Sequence, residues 1–140
     1  MKNVLFYKYK YLIIFGILAL LIDRITKLGI IVSGREFLKN PGIAFGMADN
    51  VPGILFFLIA LGLVALIYFG KNLDLSKKTN QIALGLIFGG GISNILDRIF
   101  YGYVIDFIDI FSISTFNFAD LMIISGSIIL IGYIWTTSKD

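Results

Sequence analysis

Two short stretches hold the groups in this chain that could do chemistry: "VIDFID" at Val104–Asp109 and "FNFAD" at Phe116–Asp120. They set Asp106, Asp109 and Asp120 near one another in a sequence that is 58% hydrophobic, with a mean hydropathy of +0.91. A carboxylate at the middle of a membrane helix costs about 2.5–3.5 kcal/mol on insertion scales, so each acid needs a partner or a task. Asp106 enters the last polar segment and Asp120 opens the last apolar run, so a turn of the residues between them can bring both carboxyls to one depth. Two carboxylates that share a site usually hold one proton between them. The ionised member can then take a proton from an attacking water while the protonated member donates to the developing oxyanion. The plainer alternative is that each Asp caps a helix or pairs with Arg24, Lys27 or Arg98. Asp109 fits that alternative better than a catalytic one.

Subtraction narrows the chemistry. The chain has no cysteine and no histidine, which excludes disulfides, thiolate nucleophiles, imidazole bases and the usual zinc sites. Carboxylates, hydroxyls and lysine remain, and no metal or cofactor is expected. No basic run interleaved with aromatics suggests a nucleic-acid partner.

The elements that must position these acids are membrane helices. Apolar runs cover Tyr11–Ile22 with a continuation to Val32, Val51–Phe69, Ile82 to about Leu96, and Leu121–Trp135 with Phe118 and Ala119 at its start. Each suits a span of about 20 residues. They predict an all-α membrane protein of four transmembrane helices in one domain, residues 1–140, with no room for a separate soluble domain. Lys2, Lys8, Lys10, Lys71, Lys77, Lys78 and Lys139 fall on one side, which the positive-inside rule makes cytoplasmic, together with both termini. Most acids then crowd at the outer face. A cleavable signal peptide is the competing reading of the first run; its charges and the lack of an Ala-x-Ala sequence favour a retained helix. The stretch from Ser33 to Asn50 and the aromatic-rich stretch from Phe100 to Thr115 cannot lie in lipid with unsatisfied backbone groups, and should form a small external β-containing cap.

Five motifs stand in order on the outer side of this frame: "DRITK" (Asp23–Lys27), "NPGIAFG" (Asn40–Gly46), "GGGISNILDR" (Gly89–Arg98), "GYVIDF" (Gly102–Phe107) and "FNFAD". Together they resemble the lipoprotein signal peptidases of bacteria, the signal peptidase II family. The resemblance implies an intramembrane aspartic endopeptidase of the bacterial cytoplasmic (inner) membrane. It would cut the signal peptide from prolipoproteins just before a diacylglyceryl-modified cysteine, with membrane lipids as surroundings and no oligomer required. By position it implies Asp106 and Asp120 as the catalytic pair. Asn40, Gly42, Asn94, Arg98 and Asn117 would shape the pocket or contact substrate, and Asp23 and Lys27 would support the site.

The residue types suit those roles. Each asparagine offers two donors and an acceptor where water is scarce, although turn formation is their ordinary use. Arg98 could make a forked contact with a carboxylate or carbonyl, or pair with Asp97, or snorkel to lipid phosphate. Asp23 and Lys27, four apart on a helix, face one another as an ion pair. Gly85, Gly89, Gly90 and Gly91 would admit another helix or a substrate backbone; a phosphate-binding glycine loop is the rival, but no Lys-Ser or Lys-Thr follows. Ile92 and Ser93 replace small residues of the family pattern, which implies slightly looser helix packing there. From another class, a small transporter would spread its acids through the bilayer depth, and a structural subunit would tolerate asparagine at both 106 and 120.

Overall fold

Helices form where three of the four apolar runs stand: α1 (Lys10–Val32), α2 (Lys78–Tyr101) and α3 (Phe118–Thr137). The computed structural model describes residues 6–41, 73–110 and 114–137; the expected helix over Val51–Phe69 and the candidate Gly42 lie outside the described residues. Helix α2 runs past the expected limits at both ends and stops where Gly102 takes a left-handed conformation, φ 79°, with its N–H on the Arg98 carbonyl. That conformation is open to glycine at little steric cost.

Helix α2 packs between α1 and α3, and small residues let the backbones approach. A Cβ on Gly89 would lie 2.7 Å from Ala19 Cβ of α1, and one on Gly90 would lie 2.5 Å from the Ala119 carbonyl oxygen of α3. Among the described residues Gly91 does not share this role, since none of them lies within 4 Å of its Cβ position. Nor is the packing loose where Ile92 and Ser93 depart from the family pattern. Ser93 is fully buried and hydrogen-bonded to α1, while Ile92 points outward.

The interior is polar and the exterior is not. Asp23, Lys27, Asn80, Ser93, Asp97, Asp106 and Asn117 are almost wholly buried, whereas Ile25, Leu28, Ile99, Ile128 and Ile131 are exposed. Such an arrangement is unfavourable in water and natural in lipid, where polar groups face the bundle interior. By length and composition α2 and α3 can cross a membrane. Helix α1 spans 23 residues, about 34 Å at 1.5 Å per residue, but carries Asp23, Arg24 and Lys27 in its C-terminal half.

Among the described residues the cap shows two small antiparallel ribbons. Strand β1 (Leu38–Asn40) pairs with β2 (Val104–Asp106), placing Leu38 opposite Asp106 and Asn40 opposite Val104. Strand β3 (Ile108–Ile110) pairs with β4 (Ser114–Phe116). Phe107, between β2 and β3, donates its N–H to the Phe116 carbonyl. Asp106 thus hangs at the edge of the cap, and Asp120 stands in the first turn of α3 beside it.

Candidate active site

Asp120 is held by the start of α3. Asn117 precedes the helix, and its Oδ1 accepts the Asp120 N–H at 3.0 Å, while Asp120 Oδ2 accepts the Asn117 N–H at 3.2 Å. This is a reciprocal capping box with an acid at its third helical position. It puts Asp120 in the first turn, where the helix dipole favours negative charge. The other oxygen, Oδ1, accepts Asn94 Nδ2 of α2 at 2.8 Å.

Asp106 ends β2 and is buried. Its Oδ2 accepts Asn40 Nδ2 at 2.9 Å, a diagonal contact across the β1–β2 ribbon, and its Oδ1 accepts Asn117 Nδ2 at 2.7 Å. Asn117 Nδ2 also donates to Asn94 Oδ1 at 3.2 Å. One asparagine therefore touches Asp106 by its side chain and Asp120 by both side chain and backbone. Burial pushes the Asp106 carboxyl above the usual carboxylate range. The bond from Asn40 opposes the shift, the nearby charge of Asp120 adds to it, and the Asn117 bond and Lys27 oppose it. Desolvation wins because a charged carboxylate loses more by leaving water than two amide donors return.

Behind this pair lies a buried charge cluster. The Asp23–Lys27 ion pair expected from their spacing is formed at 2.7 Å. Lys27 also reaches Asp97 at 2.6 Å and donates to Asn94 Oδ1 at 3.2 Å. Arg24 contacts Asp97 and accompanies Asp23 at 3.5 Å. Arg98 is half-buried, donates to the Asn94 carbonyl oxygen at 3.2 Å, and lies near enough to Asp120, Asp106 and Asp97 to interact with their charges. Asp109 is exposed on β3.

The structure thus brings Asp23, Lys27, Asn40, Asn94, Arg98, Asp106, Asn117 and Asp120 to one end of the helix bundle. Sequence reasoning missed Arg24, Ser93 and Asp97 as parts of it. The signal was present: Ser93, Asn94 and Asp97 recur at helical spacing on one face of α2.

The fold is similar to that of a bacterial membrane enzyme solved at 2.3 Å by the in meso method, at 27% identity and a TM-score of 0.75, covering 91% of this chain and 88% of the other. A second such structure, solved at 1.9 Å, matches with a TM-score of 0.70 over 88% and 91% of the two chains. The family model described as signal peptidase (SPase) II matches residues 10–136. The lipoprotein signal peptidase of Clostridium novyi is 33% identical, covering 85% of this chain and 91% of its own, and that of Clostridium tetani is 35% identical over 87% and 90%. The chain belongs to the signal peptidase II family and is a membrane protease.

Proposed function

We propose that this chain is an aspartic endopeptidase that removes the signal peptide from lipid-modified prolipoproteins, with Asp106 and Asp120 sharing one proton. The observation that carries this reading is the convergence of both carboxylates on Asn117. Asp120, at a helix N-terminus, is the ionised member and Asp106, buried in a strand, holds the proton. Asp120 takes a proton from a water as its oxygen bonds to the scissile carbonyl carbon, and Asp106 gives its proton to the carbonyl oxygen. The tetrahedral diol then collapses: Asp120 returns its proton to the amide nitrogen, the C–N bond breaks, and Asp106 regains a proton from the diol hydroxyl. Asn40 and Asn117 stabilise the carboxylate that forms transiently on Asp106.

The setting fits such a substrate. All the named groups lie at one end of the helices, whereas Lys77 over Tyr133 and Lys78 over Tyr11 mark the opposite end. In this reading the basic end is cytoplasmic, α1 and the run Val51–Phe69 also span, and residues 1–140 form one domain with both termini inside. The apolar helix faces favour entry of a diacylated substrate sideways from the outer leaflet.

The test is cleavage of a diacylglyceryl-modified prolipoprotein by the purified chain in detergent, beside Asp106→Asn and Asp120→Asn. The parent should cut, and both folded variants should fail. A variant that cuts like the parent would remove its aspartate from the chemistry.

A further inference from the structure

Asp97 takes no part in the chemistry above, yet it is fully buried and ionically paired. Its surroundings mirror those of Asp23 on the neighbouring helix. Lys27 bridges the two carboxylates, and Arg24 bridges them as well. Ser93 closes the ring, donating to Asp23 at 2.6 Å and accepting from Arg24 Nε at 2.9 Å. Two acids and two bases leave this cluster neutral. Each acid has one further bond: Asp97 Oδ2 accepts the Ile105 N–H at 3.2 Å, and Asp23 Oδ1 accepts the Ala119 N–H at 2.9 Å. Ile105 and Ala119 are the residues immediately before Asp106 and Asp120.

We propose that Asp97 is a positioning residue: together with Asp23 it holds, on one ion cluster, the main chain beside each catalytic carboxylate and so fixes their separation. This rests on the reading of Asp106 and Asp120 as the hydrolytic pair. Adhesion between helices is a weaker account of the cluster. Buried ion pairs stabilise little, because desolvation consumes most of the Coulomb gain, and glycines already bring α1 and α2 into contact. Strand β2 is only three residues long, so its anchor to α2 bears directly on where Asp106 sits. Misplacing a reacting group by about 1 Å can cost roughly 10²-fold in rate. Repulsion between two carboxylates falls as they separate. The gap between the two apparent pKa values of the pair therefore reports its spacing.

Two charge-balanced double variants of the full chain isolate the anchor: Arg24→Gln with Asp97→Ala, and Arg24→Gln with Asp97→Asn. Both leave Asp23 and Lys27 as a neutral pair, but only the asparagine offers an oxygen to the Ile105 N–H. Cleavage of the lipid-modified prolipoprotein is followed against pH in detergent, with thermal melts of the same samples. The alanine double should lose about 10²-fold in kcat with KM unchanged, and its bell-shaped pH profile should narrow. The asparagine double should recover most of kcat and the parental width. The proposal is overturned if the two doubles share one kcat and one profile. It is equally overturned if either double is unfolded, since the cluster would then serve the fold and not the spacing. Asp106→Asn and Asp120→Asn, run alongside, separate the two failures. If either cuts, the dyad reading falls and the spacing with it; if both are dead and the doubles alike, only the spacing falls.

Discussion

Replacing Asn117 by serine separates two jobs that its side chain performs at once. As a cap, its Oδ1 accepts the Asp120 N–H at 3.0 Å, and serine caps a helix about as well as asparagine. As a bridge, its Nδ2 donates to Asp106 Oδ1 at 2.7 Å and to Asn94 Oδ1 at 3.2 Å. A serine hydroxyl placed to cap has a single proton on a shorter side chain, so the bridge is lost. The bond to Asp106 strengthens as that group gives up its proton, and a hydrogen bond to a charged group contributes about 1.5–3 kcal/mol. At 1.36 kcal/mol per tenfold, kcat should fall about 10- to 150-fold. Melting of the serine variant should stay close to the parent, whereas Asn117→Ala should lose the bridge and also about 1 kcal/mol of cap. The assay is single-turnover cleavage of a lipid-modified prolipoprotein in detergent, with melts of the same preparations. A serine variant that cuts at the parental rate would show that Asn117 is only a cap and that the amide bridge does not set up the pair.

Titration of Asp106 should also show in stability. Its folded pKa is raised by burial, so its contribution is complete below the ordinary value of about 3.9 and is lost as pH rises through the folded value. Asp106→Asn removes that titration, and its melting temperature relative to the parent should therefore climb from acid toward neutral pH; a constant difference would contradict the sign. On α2, Gly90→Ala forces a Cβ to 2.5 Å from the Ala119 oxygen and 3.0 Å from Ile123 Cγ1, an overpacking worth about 1–3 kcal/mol beside Asp120. Gly91→Ala meets nothing within 4 Å among the described residues and should gain up to about 1 kcal/mol in helix propensity. Equal melting temperatures for the two alanine variants would refute the close approach of α2 and α3.

What could be read in the sequence was what depends on local pattern. The three described helices fall on apolar runs because lipid rewards continuous hydrocarbon, and Asp23 with Lys27 pair because four residues make one turn. The motifs pointed to Asp106, Asp120 and the asparagines, but not to how they are joined. That Asn117 serves both carboxylates follows from β4 running into α3 while β2 lies alongside, which no one-dimensional spacing reveals. Composition groups Gly91 with its neighbours, yet the helix turns it about 100° away from the contact made by Gly90. In the sequence Asp97 stands only as a neighbour with which Arg98 could pair. Its contacts come from α1 and β2, so its role could be found only once those elements were side by side.

The charge balance of the whole site supports the single proton assigned to the pair. Asp23 and Asp97 are matched by Arg24 and Lys27 within the cluster. What remains is Arg98 beside Asp106 and Asp120. With Asp106 protonated, the carboxylate of Asp120 is balanced by the guanidinium, and the charges of the site sum to zero. Ionising Asp106 as well would leave a net negative charge in a setting with little water to stabilise it, the situation in which buried groups take up a proton instead. Hydrolysis by the proposed route moves protons among Asp106, Asp120, water and the leaving amine without changing that sum. A site only partly open to water can run such a cycle because no step in it requires the protein to bury a new net charge.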